Sequence, residues 1–216
     1  GAKRGKDTSM WLAVQSVKEK QADIVISAGN TGALLVVSKL NLKMIENIDK
    51  PALSALWPNK KGMSVVLDLG ANIECSSKNL LDFSIMGASL YTSLYTDEKP
   101  NVALLNIGSE ELKGNETIKE TYQLLNDKKS NNYNFAGYIE GNHLMDGLVN
   151  VIVSDGFTGN VALKTAEGTA NFITSELKIA MTGSLISKIS SILNFSNFKK
   201  FKKRLDPRLY NGAIFI

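Results

Sequence analysis

Polar residues suited to binding an anion follow an apolar run in the segment 151–164 (VIVSDGFTGNVALK). Asp155 and Asn160 bracket a loop whose glycines, Gly156 and Gly159, permit backbone angles that other residues do not. The amide of Asn160 and the free N–H groups at the start of a helix are hydrogen-bond donors, and the helix dipole there favours negative charge. The segment therefore predicts a strand, a tight anion-binding loop and a helix.

Three other loops with similar residue types follow apolar runs, at 28–33 (AGNTGA), 68–72 (DLGAN) and 108–116 (GSEELKGNE). If all four preceding strands are parallel, their carboxyl ends and loops meet at one edge of a sheet, where α/β proteins commonly bind ligands. The polar residues expected at that shared cleft are Asn30, Asp68, Asn72, Lys113, Asn115, Asp155 and Asn160. The alternative is that these Gly and Asn residues only make turns.

The elements that would position these loops alternate between strands and helices. Buried strands are predicted at 22–27, 63–67, 102–107, 135–139 and 151–153, and a loop is predicted through Pro51 and Pro58. Helices are predicted at 9–20, capped by Asp7 or Thr8, at 34–40, at 78–95, from 116 through 125, and after 156. Such alternation predicts an α/β fold with a mainly parallel sheet sandwiched by helices.

Composition sets limits on the class of protein. The 216 residues are 44% hydrophobic and 21% charged, which is enough for one sizeable core, and no run reaches the ~20 apolar residues of a membrane span. One cysteine, Cys75, excludes an internal disulfide framework, and the first residues show no apolar region of a signal peptide. We therefore expect a reducing, cytoplasmic location.

Positive charge is concentrated near the end of the sequence. Six of the 25 Lys and Arg residues lie at 199–208, with one acid, Asp206. This segment continues an apolar helical face, so 184–205 is predicted to be a protruding amphipathic basic element, between a core at 1–183 and a return to the core at 206–216. The residues proposed for contact with an anionic membrane or partner are Leu185, Ile189, Ile192, Phe198, Lys199, Lys200, Lys202 and Lys203. The alternatives are an ordinary amphipathic helix packed on the core or on a dimer partner, and docking of an acidic protein.

Four motifs carry a resemblance to a known family: SAGNTGA (27–33), LDLGAN (67–72), LLNIGSEELKGNE (104–116) and SDGFTGNVALK (154–164). In order and spacing the sequence resembles the PlsX-type phosphate acyltransferases of bacterial phospholipid synthesis along nearly its whole length, including 4–10 and 210–213. The resemblance implies transfer of a fatty acyl group from acyl carrier protein to inorganic phosphate, which gives acyl phosphate. It also implies a fold related to isocitrate and isopropylmalate dehydrogenases and to phosphotransacetylase, a homodimer, and a peripheral membrane role.

The resemblance also marks departures from the family pattern. In the family pattern, a segment with an Asp- and Gly-rich loop precedes the position of Gly1, and a segment with His and Gly follows the position of Ile216. This sequence contains neither segment. Asn211 and Gly212 stand where the family usually has paired glycines. We therefore expect that this chain alone lacks part of the first sheet, and its own activity is an open question.

Roles for individual residues follow from the chemistry and agree with the resemblance. Attack of phosphate on a thioester needs a positioned anion and donors facing the developing oxyanion, and it needs no metal or cofactor. Lys113 and Asn160 are the predicted catalytic donors. The predicted phosphate- or substrate-binding residues are Asn30, Thr31, Gly32, Asn72, Asn115, Asp155, Gly156, Thr158 and Gly159. Asn72 and Asn115 could also shape the loops by bonding backbone groups. Asp68 and Asp155 are expected to fix loops rather than to act as general bases.

Other functions have less support in the sequence. The single histidine, His143, precedes Asp146 without a G-x-S-x-G motif, Cys75 is expected to be structural, and no His/Cys cluster has zinc spacing. A dehydrogenase on the same fold is disfavoured, because no G-x-G-x-x-G motif follows any predicted strand of this sequence. A non-catalytic fragment that binds a membrane or a carrier protein stays open, and nucleic-acid binding is disfavoured because Phe195, Phe198 and Phe201 fall at helical spacing.

Overall fold

A computed structural model describes residues 5–95, 99–204 and 212–215. Its strands are β1 (Ala52–Pro58), β2 (Met63–Leu67), β3 (Asn101–Asn106), β4 (Asn134–Glu140), β5 (Val151–Val153) and β6 (Ala213–Phe215). Its helices are α1 (Ser9–Lys18), α2 (Thr31–Asn41), α3 (Ser77–Leu94), α4 (Glu116–Asp127), α5 (Gly156–Thr182), α6 (Leu185–Leu193) and α7 (Phe195–Arg204), with a 3₁₀ turn at Gly141–His143. The α/β class predicted from the sequence is confirmed.

The strands form one mixed sheet in the order β4-β3-β5-β2-β1-β6. Neighbouring strands among β4, β3, β5 and β2 are parallel, whereas β1 is antiparallel to both β2 and β6. The predicted strands at 63–67, 102–107, 135–139 and 151–153 therefore correspond to the parallel part of the sheet. Because these strands are parallel, their carboxyl ends lie at one edge.

The prediction of a loop through Pro51 and Pro58 is wrong, because these prolines bracket β1. This strand forms a hairpin with β2, and Pro58 is its last residue, beyond the part that pairs with β6. A proline is tolerated there because its missing N–H removes no bond to β6.

The predicted strand at 22–27 is also wrong for the described part of the chain. This segment has no regular secondary structure, and the side chains of Ile24 and Ile26 are 72% and 87% exposed. An apolar run forms a strand only where a neighbouring strand supplies hydrogen bonds, and none of the described strands pairs with this segment. The following helix does form, and it begins at Thr31, three residues before the predicted start.

The core lies on both faces of the sheet. Alternate strand residues point to opposite faces: Leu104 and Val153 pack with Phe83 of α3, whereas Val66 and Ile152 pack with side chains from α5. Burial of side chains on both faces fixes the register of the central strands. The loops after β2, β3 and β5 therefore follow strand ends that are buried.

The last part of the chain is described in pieces. Helices α6 and α7 occupy most of the predicted element at 184–205, and β6 pairs with β1. The sequence predictions that involve Asp206, Arg208 and 210–211, like the motif residue Arg4, lie outside the described residues. Among the described helices, none has the combination of length and hydropathy that crossing a membrane requires.

Candidate functional site

The loops after β2, β3 and β5 meet at the carboxyl edge of the sheet, because β5 lies between the other two strands. Asp68 organises the first of these loops. Its buried carboxylate accepts hydrogen bonds at Oδ1 from the backbone N–H groups of Leu53, Gly70 and Ala71, at 3.0, 3.1 and 3.0 Å. Its Oδ2 accepts from the backbone N and from Nδ2 of Asn72, both at 2.8 Å. Asp68 thus stabilises the loop, in the structural role expected for it.

Asn72 is committed to the same loop. Besides Asp68, its Nδ2 donates to the carbonyl oxygen of Pro51 at 2.7 Å, so its amide ties the loop to the start of β1. Its own carbonyl oxygen accepts from the N–H of Gly156 at 2.7 Å. The side chain predicted to bind substrate therefore serves the backbone, and Asn72 connects the loop after β2 to the start of α5.

Two glycines at the start of α5 are required by close packing against that loop. A Cβ atom on Gly156 would lie 2.6 Å from the carbonyl oxygen of Asn72, and a Cβ on Gly159 would overlap the carbonyl oxygen of Asp68. Both glycines are buried. The glycines of the SDGFTGN motif therefore allow α5 and the loop after β2 to pack together. The sequence had linked these glycines only to an anion site.

Three of the predicted binding residues cap helices. Oδ1 of Asn30, of Asn115 and of Asp155 accepts from the backbone N–H three residues later, at 3.0, 2.9 and 2.8 Å. Asp155 Oδ2 also accepts from the hydroxyl of Thr158 at 2.8 Å. Each cap stabilises the start of a helix. For Asn30 and Asn115 this agrees with the alternative that such residues only make turns. The side chains are thus used locally, while helix dipoles at this edge still favour an anion.

A cavity of about 220 Å³ lies between α2, α5 and the loop after β2. It brings together Asn160 with Thr31 and Gly32 at the start of α2, and with the turn at Gly70. Gly70 has a φ of +134°, which favours glycine, and the side chain of Asn160 lies directly over it. The Asn160 side chain is exposed, and its amide has no hydrogen-bond partner among the described residues. Its donors are available to a ligand.

Lys113 lies in the loop after β3 and does not line this cavity. Its side chain is exposed, and no acidic group lies within 4 Å of its ammonium in the described part of the chain. Asn106 holds the loop, because its Nδ2 donates to the carbonyl oxygens of Gly108 and of Lys113, both at 3.1 Å. The structure therefore places the two predicted catalytic residues at the same sheet edge but not in one cavity.

Sequence reasoning missed Asn106 and Lys164. Asn106 is nearly buried at the end of β3, directly before the Gly-rich loop, and that position was the available signal. Lys164 lines the cavity together with Asn160. The two residues are four positions apart on a helix and so share one face, which the sequence already indicated.

Cys75 and His143 fit the structural interpretation. Burial, followed by the nearby charge of Asp68, raises the pKa of the Cys75 thiol to about 11, so the thiol is protonated at neutral pH. His143 Nδ1 lies 2.8 Å from Asp146, whose pKa is lowered by hydrogen bonds from Lys60 and then from His143. The described residues contain no group of three or more His, Cys, Asp or Glu side chains that could hold a metal ion.

The predicted membrane or partner residues lie on α6 and α7. Leu185, Ile189 and Ile192 are exposed, Phe198 is half-buried, and the lysines around it are exposed. Helix α6 is tied to α5 by a hydrogen bond from Ser191 Oγ to the carbonyl oxygen of Met181, at 2.8 Å. In the described structure the apolar face of α6 is therefore not packed against the core.

Comparisons with solved structures support the fold. A EutD phosphotransacetylase from Staphylococcus aureus superposes with a TM-score of 0.59 at 16% identity, over 75% of this chain and 56% of that one. A branched-chain phosphotransacylase from Enterococcus faecalis V583 gives 0.56 at 18% identity, over 72% and 63%. At such low identity, these likenesses establish the architecture alone.

Sequence comparisons identify the family. A phosphate acyltransferase of Pelagibacter ubique (strain HTCC1062) is 81% identical over 216 residues, which are 100% of this chain and 65% of that protein. Its counterpart in Maricaulis maris (strain MCS10) is 44% identical over 99% of this chain and 61% of its own length, so the chain spans less than two thirds of these relatives. The resemblance to phosphate acyltransferases is confirmed. A family model described as "Fatty acid synthesis protein" matches residues 2–216, and the chain belongs to that family.

Proposed function

We propose that this chain carries the phosphate-binding core of an acyltransferase that moves a fatty acyl group from acyl carrier protein to inorganic phosphate. The observation that carries the proposal is the cavity at the carboxyl edge, where the free amide of Asn160 faces the start of α2 and the Gly70 turn. Relatives named phosphate acyltransferase support the reaction class. Acyl carrier protein as the donor, acyl phosphate as the product and a role in phospholipid synthesis belong to the same proposal.

The proposed reaction needs donors rather than a protein nucleophile. A phosphate oxygen attacks the thioester carbonyl carbon, a new C–O bond forms, and the C–S bond then breaks so that the carrier thiolate leaves with the electron pair. The Asn160 amide and the Lys113 ammonium stabilise the negative charge that develops on the carbonyl oxygen and on phosphate. Asp155 is engaged in capping α5, which supports a structural role rather than general-base catalysis.

The first test replaces the two proposed donors. In an otherwise complete enzyme, Asn160→Ala and Lys113→Ala should each lower acyl phosphate formation by ~10²-fold or more, the usual effect of removing an oxyanion donor. Asn171→Ala, on the exposed part of α5, and Lys119→Ala, on α4, are the matched controls. Turnover like that of the parent in Asn160→Ala or Lys113→Ala, at saturating phosphate and carrier thioester, would remove that residue from the site.

The second test measures phosphate binding without turnover. Phosphate should raise the melting temperature in a saturable way, because a ligand that binds only the folded state stabilises it by mass action. Equal stabilisation by sodium chloride at the same ionic strength would contradict a phosphate site. Saturable binding without turnover would favour the non-catalytic alternative.

We also propose that α6 and α7 bring the protein to an anionic membrane surface from the cytoplasm. Exposed apolar side chains of α6 beside Lys199, Lys200, Lys202 and Lys203 support this role, since each Lys near such a surface contributes ~1 kcal/mol. Flotation with vesicles containing anionic lipid should fall when these four lysines become Gln. Unchanged flotation with weaker binding of acyl carrier protein would assign the segment to the carrier instead.

A homodimer is the third part of the proposal. Phe172, Ile173 and Ile179 of α5 are exposed, which supports an interface along this helix. Light scattering on the protein and on Phe172→Ser would test it, and a monomeric parent at micromolar concentration would contradict it. The relation to isocitrate and isopropylmalate dehydrogenases stays a proposal at the level of the fold.

A further inference from the structure

We propose that Lys164 is a phosphate-binding residue and supplies the positive charge of the cavity that Asn160 lines. This inference rests on the proposed function and deepens it, because it names the cation that neutralises the phosphate dianion. Lys164 was not among the residues that the sequence motifs nominated for the site.

The position of Lys164 carries the inference. Asn160 and Lys164 both line the cavity of about 220 Å³, and their four-residue spacing on α5 puts them on one face of that helix. Thr31 and Gly32 at the start of α2 and the turn at Gly70 also line the cavity, together with apolar side chains. An anion in the cavity could therefore contact the Asn160 amide, the start of α2 and the Lys164 side chain.

Charge distinguishes Lys164 from the rest of the lining. It is the one charged side chain among the described residues that line this cavity, whereas Lys113 lies in the neighbouring loop. Neutral donors and helix dipoles compensate only part of the hydration energy that a phosphate dianion loses, so a cation within reach strengthens binding. Lys164 supplies a cation at the lining of the cavity.

The Lys164 ammonium forms an ion pair with Glu167, which is not among the residues that line this cavity. Its Nζ lies 2.9 Å from Glu167 Oε2, and 65% of the lysine side chain is exposed against 30% for the glutamate. A solvent-exposed pair of this kind is weak, and an ammonium has three donors, of which Glu167 takes one. The remaining two donors are free to bind phosphate.

The test compares Lys164→Gln with Lys119→Gln. Lys119 is the matched control because it also pairs with a glutamate three residues away, Glu116 at 3.1 Å, but on α4. In Lys164→Gln the phosphate concentration for half-maximal stabilisation of the fold, and for half-maximal turnover, should rise at least ~10-fold. The half-saturating concentration of carrier thioester should stay unchanged, and Lys164→Arg should restore most of the phosphate affinity.

The outcomes separate this inference from the proposed function. Unchanged phosphate dependence in Lys164→Gln, or an equal rise in Lys119→Gln, would overturn the role of Lys164 while leaving the reaction intact. Saturable phosphate stabilisation that Lys164→Gln weakens, in a parent without turnover, would support the inference and favour the non-catalytic alternative for this chain. A parent that phosphate does not stabilise saturably would overturn both.

Discussion

Two segments of this chain have the same sequence pattern and different structures. Residues 22–33 and 151–160 each run from apolar residues through a loop with Gly and Asn into a helix. In the second segment, β5 lies between β2 and β3, and all three of its residues are buried. In the first segment, residues 22–27 are irregular and largely exposed.

The comparison separates local from tertiary causes. Both helices start where a side chain caps them, at Asn30 and at Asp155, because a cap bonds a backbone N–H only three residues away. A strand needs partners from distant parts of the chain, and only the second segment has them among the described residues. The apolar pattern is thus a necessary condition for a buried strand and not a sufficient one.

The largest expected difference concerns the loop glycines. Gly159→Ala should destabilise the fold by more than ~4 kcal/mol, because the added methyl group overlaps the carbonyl oxygen of Asp68. At Gly32 the nearest atom to an added Cβ is Asn30 Oδ1 at 3.3 Å, so Gly32→Ala should change stability by less than ~0.5 kcal/mol. Urea unfolding followed by circular dichroism measures both, and equal effects would contradict the contrast.

The apolar residues that precede the loops provide the next difference. Ile152→Ala should lower the free energy of unfolding by ~3 kcal/mol, since it leaves a cavity in the sheet core. Ile26→Ala removes a side chain that is 87% exposed and should have an effect within ~0.5 kcal/mol. A loss above ~2 kcal/mol in Ile26→Ala would show that residues 22–27 are packed in solution.

Substitutions of the two helix caps should affect stability equally in the two segments. Asn30→Ala and Asp155→Ala should each lower the free energy of unfolding by ~1 kcal/mol, because both caps act locally whatever the burial of the preceding segment. The conservative changes Asn30→Asp and Asp155→Asn should retain most of that stability. If Asp155→Ala lowered the free energy of unfolding several times more than Asn30→Ala, tertiary packing would also determine the helix start.

The last prediction concerns the alkylation rate of a thiol beside the packed segment, with no counterpart at residues 22–33. Cys75 lies beside the loop after β2, and burial raises its pKa to about 11. Since the thiolate is the reactive form, alkylation by iodoacetamide should rise ~10-fold per pH unit between pH 8 and 10. The urea-unfolded chain is the control, and its rate should level off near the ordinary thiol pKa of ~8.5. A plateau below pH 9 in the folded protein would contradict the burial of this thiol.

The candidate site was predicted in part. The sequence placed Asn160, Thr31, Gly32 and the Asp68 loop at one edge of a sheet, and the structure brings these together. It nominated Asn72 both as a ligand contact and as a residue that shapes the loop, and in the structure both of its amide bonds go to Asp68 and Pro51. A short polar side chain after a strand serves either a ligand or the backbone, and the spacing of residues does not distinguish these uses.

The sequence by itself determined the features that depend on neighbours along the chain. These include the caps at Thr8 and Asn115, the helices α3 and α4, and the four motifs that identify the family. Their physical cause is short-range, since capping bonds and helical periodicity act within about four residues.

Only the tertiary structure decided the features that depend on distant partners. It made an antiparallel strand of Ala52–Pro58, left residues 22–27 without a strand partner among the described residues, and put Lys164 in one cavity with Thr31 and Gly70. Pairing and burial join residues that lie tens of positions apart, and an apolar run or a lone lysine has the same local pattern whether or not such a partner is present.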